Sequence, residues 1–331
     1  MPPAVNDATI SPSRAETRTA VVVGALGQDG TLLSRYLRSK GYRVVAVTRQ
    51  GVLKSDGSVD TLDLLNMSGV EAFIAAILPD EIYFLAAHHH SSDQDAGDLG
   101  TLLQQSHETH GLRFLSLLQA CAKRSPETRL FYASSALVFG HPESRPQDEA
   151  TPMRPACAYG VTKLFGMGLC EIFRRDHGLF CSAGILFNHE SPLRQQQFVS
   201  RKISKAVIAI KRGIQTELVL GSLDTEIDWS AAEDFVRAMP AVLALDAPRD
   251  FVFASGKLHS LREFCAIAFS TVGLDFRNHV KVAEALVVRK PRTIPLHGNP
   301  ARLMQATGWR PEINFEQLVS GLVQAEMDRT R

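Results

Sequence analysis

The sequence predicts an α/β protein: a Rossmann-type doubly wound parallel sheet with a smaller C-terminal lobe. Three observations carry this expectation. Short β-branched runs alternate with stretches of helical spacing up to about Ser191, the pattern of repeated βαβ units. A glycine-rich segment lies between the first such run and the first helix. Beyond Ser191 helices and loops dominate. The 331 residues suit two fused units, so three segments are expected: a disordered leader over 1–18, a dinucleotide-binding domain over 19–190, and a mostly C-terminal substrate lobe over 191–331.

The elements follow in order. Ala20-Val-Val-Val23 is a short apolar run, read as a buried strand. Thr31–Lys40 has helical spacing, with Leu32, Leu33, Tyr36 and Leu37 on one stripe and Gly41 at the stop. Arg43–Thr48 reads as a strand, Met67–Leu78 as a helix ended by Pro79, and Glu81–Ala87 as a strand. Gly111–Lys123 is a helix, Leu130–Ser135 a strand and Tyr159–Arg175 a helix. Short strands are expected near Thr216–Leu220 and Phe251–Phe253 in the second lobe. Phe264, Ile267, Ala268 and Val272 are read as core at helical spacing.

Composition narrows the function classes. A net charge of +1 lacks the basic footprint of a nucleic-acid binder. No apolar run is long enough to span a bilayer. The leader has no apolar region of the signal-peptide kind. Five scattered cysteines without a Cys-x-x-Cys pair suggest neither a disulfide framework nor a zinc site, so a cytoplasmic protein is expected. His88-His89-His90 does not read as a metal site, because consecutive residues of an extended segment point to opposite faces.

Gly24-Ala-Leu-Gly27-Gln28-Asp29-Gly30 has the spacing G-x-x-G-x-x-G between strand and helix. Gly24 permits the tight turn, Gly27 lets backbone N–H groups approach a pyrophosphate, and Gly30 permits close helix–strand packing. The helix N-terminus then offers its positive dipole end to phosphates. The second strand ends in Val47-Thr48-Arg49-Gln50, with no acid for ribose hydroxyls. Arg49 can pair with a 2′-phosphate, which favours NADP over NAD. Asp63 is a candidate for the adenine amino group.

Tyr159 and Lys163 stand four apart on one helix face. A lysine ammonium beside a phenol lowers its pKa and prepares it for proton transfer near neutral pH. Ser134 and Ser135 end the preceding strand at the ligand-binding sheet edge, where Ser135 can hydrogen-bond a reacting oxygen.

In this order the motifs resemble those of the extended short-chain dehydrogenase/reductases, and within them the GDP-mannose 4,6-dehydratase family. Gly184-Ile-Leu-Phe-Asn-His-Glu-Ser-Pro192 and Phe198-Val-Ser-Arg-Lys-Ile203 are the most specific segments. Pro79–Ala87, Leu220–Asp224, Asp228-Trp229 and Gly308–Pro311 add to them. The resemblance implies Ser135, Tyr159 and Lys163 as catalytic residues. It implies Leu64, Leu85, Ala86, Ala87, His189 and Arg194, with the glycine loop, as cofactor contacts. His90, Asn188, Lys202 and Arg289 are implied as substrate contacts, with a nucleotide sugar, GDP-linked, as the substrate.

The chain also departs from the family it resembles. The glutamate expected two residues after the hydroxyl residue, which removes the C5 proton in the dehydratases, is Leu137. Ser134–Gly140 instead looks like the corresponding strand of 4-epimerases and 4-keto reductases. An expected arginine is Ile227, and Arg292 replaces an expected glutamate. The loop after Arg49 is shorter than the one that helps build the family's tetramer, so a homodimer is expected. Three readings stay open: an NADP-dependent 4-keto reductase or 4-epimerase, a dehydratase whose base has moved (Asp93, Asp95 or Asp98 being candidates), and a non-catalytic NADP-binding partner or sensor.

Overall fold

The structure is a computed structural model and describes residues 17–88, 98–283 and 293–329. The leader up to residue 16, His89, His90, Asp93, Asp95, Arg289 and Arg292 lie outside these residues.

The chain begins β1 (Thr19–Val23), α1 (Gln28–Ser39), β2 (Arg43–Val47), β3 (Gly51–Leu53), β4 (Val59–Thr61), α2 (Met67–Ile77) and β5 (Glu81–Phe84). It continues through α3 (Leu99–His107), α4 (Arg113–Arg124), β6 (Arg129–Ala133), α5 (Ala158–His177), β7 (Cys181–Leu186) and β8 (Asn188–Glu190). The remainder is α6 (Val199–Lys211), β9 (Leu218–Leu220), β10 (Glu226–Ala231), α7 (Ala232–Leu243), β11 (Phe251–Phe253), β12 (Leu258–Ser260), α8 (Leu261–Ser270), β13 (Val280–Val282), α9 (Ala301–Thr307) and α10 (Phe315–Arg329).

The expected parallel sheet is present in six strands, β11-β7-β6-β5-β1-β2, and β3 and β4 extend it antiparallel beyond β2. β1 pairs in parallel with both β2 and β5, so the strand order reverses at β1. The crevice beyond the carboxyl ends of strands at such a reversal is where open α/β sheets bind ligands. Alternate residues of the same strands feed two cores. Val21, Ile82, Leu130 and Tyr132 pack against α2, α4 and α5 on one face. Ala20, Val22, Tyr83 and Phe131 pack against α1 and α7 on the other. That division is the period-2 alternation of a doubly covered sheet.

Two expectations change. Phe251–Phe253 forms as a strand, but it pairs in parallel with β7 and forms an edge of the large sheet rather than part of a separate lobe. Its three residues are fully buried, as those of a strand covered on both faces are. The helix expected from Gly111 starts much earlier, at Leu99, and reaches α4 through a π-helical turn at Glu108–Leu112. Its polar stretch Gln104–His110 hid it, because the face packed against the protein carries Ser106 and His110, both buried.

The other lobe is a third core built by α6, α8 and α10, with Phe264, Ala268 and Val272 buried and Ile267 partly so. Asp228 ties it to the sheet. Its buried carboxylate accepts from Ser255 N (2.9 Å), Ser255 Oγ (2.6 Å), Gly256 N (3.2 Å) and Gly298 N (3.1 Å). Asp228→Ala strands three backbone donors, each costing about 1–3 kcal/mol when left unpaired. Urea unfolding is expected to lose roughly 3 kcal/mol or more at an unchanged m-value; a loss below about 1 kcal/mol contradicts this role.

Candidate active site

The glycine loop follows β1. Gly24 adopts φ +88°, and a Cβ there would meet Ala86 N at 2.8 Å. A Cβ on Gly30 would fall 2.2 Å from Gly24 O. The first and third glycines are therefore steric requirements, as the spacing predicts. Gly27 differs: an added Cβ would meet only Gly24 O, at 3.3 Å, and otherwise open space. Gly27 is also the N-cap of α1 and provides no side-chain cap. The first-turn N–H groups of α1 thus face the cleft without a side-chain acceptor, a cradle that fits a pyrophosphate.

The loop is clasped to a segment 160 residues away. His189 Nε2 lies 2.9 Å from Asp29 Oδ2, and His189 Nδ1 lies 2.7 Å from Phe187 O. A carboxylate and a carbonyl only accept, so both ring nitrogens donate and the ring is an imidazolium. Gln28 Nε2 donates to the His189 carbonyl (3.1 Å), and Ser191 Oγ donates to Gln28 Oε1 (2.9 Å). Burial disfavours the charged form of His189, but the facing Asp29 carboxylate outweighs it and raises the pKa. Burial likewise pushes Asp29 up, and His189 with Gln28 brings it below its ordinary value.

One cleft of about 690 Å³ opens where the strand order reverses. It brings together Gly24, Gly27, Gln28, Asp29, Gly30 and Arg49 with Leu64, Leu85, Ala86 and Ala87. Ser135, Tyr159, Lys163, Asn188, His189 and Arg194 line it too. Ser134 Oγ, in its wall, is buried without a hydrogen-bond partner among the described residues. Arg49 is exposed at the rim.

Four placements differ from expectation. Asp63 does not line the cleft: it accepts from Leu65 N at 3.0 Å and pairs with Arg113 at 3.6 Å. Lys202 is exposed on α6, outside the cleft lining. His189 lines the cleft, but its two ring nitrogens are committed to Asp29 and Phe187, so its role is to hold the loop. Asp98 caps α3, accepting from Thr101 N at 2.9 Å, and is no candidate base.

The tyrosine and lysine also behave differently from the expectation of a lowered phenol pKa. Lys163 is buried and donates from Nζ to Ala133 O at 2.7 Å. Burial lowers its pKa to about 7. Burial pushes the Tyr159 phenol up, with Arg194 opposing weakly. Low dielectric around both groups overrides the mutual effect that the four-residue spacing suggests. Tyr159 therefore keeps its proton at neutral pH. Ser135 lies at the start of a tight turn over Ala136–Phe139, its Oγ accepting from Leu137 N at 3.2 Å. Leu137 lines the cleft.

Some lining residues escaped sequence reasoning: Glu108, Thr109 and Arg113 at the π turn, and Phe198, whose ring carries the Arg194 guanidinium at 3.7 Å. A short offset pattern, Gln105, Glu108 and Thr109 on one helix face, was the available signal. Among the described residues no cluster of His, Cys, Asp or Glu could hold a metal ion.

The GDP-mannose 4,6 dehydratase family model matches residues 21–322. The chain belongs to the GDP-mannose 4,6-dehydratase family. It is 32% identical over 345 residues to GDP-mannose 4,6 dehydratase 2 of Caenorhabditis elegans, covering 94% of this chain and 90% of that one. It is 31% identical to the Homo sapiens GDP-mannose 4,6 dehydratase, covering 94% and 92%. Its fold matches RMD from Pseudomonas aeruginosa complexed with NADPH (TM-score 0.77, 23% identity, 95% and 100% covered). It also matches the UDP-glucose 4-epimerase of Thermus thermophilus in complex with NAD (TM-score 0.75, 20% identity, 93% and 99% covered). The chain is thus an enzyme of the NAD(P)-dependent nucleotide-sugar short-chain dehydrogenase/reductase class. Leu137, at the position where the resemblance implies a glutamate, lines the cleft.

The clasp has a pH signature. His189 contributes fully below its ordinary value of 6.5 and loses its contribution as pH rises through the raised value. Asp29 contributes fully above 3.8 and loses its contribution as pH falls through the lowered value. Unfolding free energy is expected to fall as pH rises above the ordinary histidine value of 6.5 more steeply in the wild type than in His189→Gln. Parallel curves contradict the assignment.

Proposed function

We propose that this protein transfers hydride at C4 of a nucleotide sugar, as a 4-keto reductase or 4-epimerase, with NADP as cofactor. The observation that carries the reading is the cleft wall itself. Ser135, Tyr159 and Lys163 line it together, while leucine stands at position 137 where the dehydratases hold a glutamate. Bound here, a nicotinamide dinucleotide supplies the hydride donor or acceptor. The glycine cradle holds its pyrophosphate, and Arg49, with no acid at the end of β2, favours a 2′-phosphate.

The protein's own groups do the rest. Ser135 Oγ donates to the C4 oxygen and orients it. Tyr159, kept protonated by burial, gives its proton to that oxygen as the carbonyl becomes a hydroxyl. A phenol held in its acid form suits the reducing direction. Lys163 anchors the strand end through Ala133 O and sits against the Tyr159 ring, its Nζ 5.6 Å from the centroid. The family supports a GDP-linked sugar. The free cysteines, buried but for the half-buried Cys157, support a reducing, cytoplasmic setting.

A second reading, dehydration with a relocated base, is favoured by one carboxylate: Glu108 lines the same cleft as Ser135 and Tyr159. A dehydratase places solvent deuterium at C5, and Glu108→Gln then removes it.

We also propose a homodimer through α5. Val161, Phe165 and Ile172 share one face of that helix and are 46%, 39% and 43% exposed. Gly168 adds open space on the same helix, which lets a second copy approach closely.

Two outcomes are expected. A GDP-linked 4-keto sugar should consume NADPH, and Tyr159→Phe should lower kcat at least about 100-fold with NADPH affinity held; wild-type kcat in that variant contradicts the role. Val161→Glu with Ile172→Glu should halve the mass seen by sedimentation velocity, and a monomeric wild type contradicts the dimer.

A further inference from the structure

A buried histidine outside the expected set touches both sides of the catalytic tyrosine's surroundings. His110 lies within the π-helical turn Glu108–Leu112 and has no exposed surface. Single π turns inside helices mark places where a side chain is re-aimed, often at functional sites. Here the re-aimed side chain is an imidazole with two bonds to different elements. His110 Nε2 accepts the backbone N–H of His88 at 2.9 Å. His110 Nδ1 lies 2.8 Å from Thr162 Oγ1 on α5.

The network fixes the ring's state. Thr162 Oγ1 lies 3.0 Å from Ala158 O and 3.1 Å from Tyr159 O. Its hydroxyl proton is committed to a backbone carbonyl, so the hydroxyl accepts from His110. Nδ1–H then donates and Nε2 accepts, which is a neutral imidazole with one tautomer. The ring also stands at 80° to the Tyr159 ring, with centroids 5.0 Å apart. The His110 carbonyl accepts from Tyr132 Oη at 3.1 Å.

α5 begins without a side-chain cap at Cys157, and Tyr159 is its second residue. The first turn of that helix therefore depends on lateral contacts for its position. His110 supplies them through Thr162 and through the Tyr159 ring itself. The same imidazole fixes His88, which lines the cleft just beyond β5.

We propose that His110 is a positioning residue: it sets the Tyr159 phenol and the His88 backbone in one register, so that the phenol oxygen meets the sugar's C4 oxygen. The inference rests on Tyr159 being the proton donor.

The test uses the full chain with NADPH and a GDP-linked 6-deoxy-4-keto sugar. His110→Leu is expected to lower kcat roughly 10- to 100-fold, with KM and NADPH affinity within about twofold. His110→Asn, whose Nδ2–H falls near the place of Nδ1–H, should recover much of that loss. Thr162→Val should mimic His110→Leu, and the double variant should be no slower than the worse single one. It also stands in if His110→Leu fails to fold. A kcat unchanged in folded His110→Leu while Tyr159→Phe is slow overturns the role of His110. So does a loss shared equally between kcat and KM, or an additive double variant. A Tyr159→Phe variant with wild-type kcat overturns the reading of Tyr159 and the inference with it.

Discussion

The cleft depends on the ion pair between Asp29 and His189. The glycine loop is held open by what glycines lack, and a loop without side chains cannot anchor itself. Asp29, in the first turn of α1, provides the anchor by reaching the imidazolium at the entrance to the second lobe. A buried charge left without its partner typically costs about 3–5 kcal/mol, so the loss of either residue alone is destabilising. The same pair, with Gln28 bonded to the His189 carbonyl and to Ser191, ties the glycine loop to the segment Asn188–Ser191 across the cleft.

Burial then assigns the chemistry. Tyr159 and Lys163 sit in low dielectric, which favours the neutral form of each: a protonated phenol and a lysine brought to about 7. The reaction proposed for them needs only hydride and one proton at the same carbon–oxygen bond. Elimination needs a base at a neighbouring carbon, and the family's position for it holds Leu137. The membership of the chain and its reaction are therefore separable: the fold is the family's, while the reaction proposed at C4 needs no base at position 137.

Much of this was legible in the residues. The four strands expected in the first half, β1, β2, β5 and β6, are short apolar runs and formed where expected, while β3, β4 and β7 were not foreseen. Gly24 and Gly30 act as their spacing suggested. What was not legible arises from contacts between distant segments. Asp29 and His189 were each picked out as ligand contacts, yet their pairing with one another spans 160 residues. The spacing of Tyr159 and Lys163 placed both on one helix face but contained nothing about the dielectric around them, so the direction of the phenol shift was reversed. Asp63 was drawn off by Arg113, and Lys202 lies on the exposed side of α6. α3 was hidden because its buried side is polar, and His110 with it.

Hydride delivery tests the account most directly. A single turnover of a GDP-linked 4-keto sugar with NADPH deuterated at the transferring position should place deuterium at C4 of the sugar, as located by NMR of the product. Deuterium at C6 would be the signature of a dehydratase, and no deuterium in the sugar would remove hydride transfer from the protein's chemistry; either result contradicts the account.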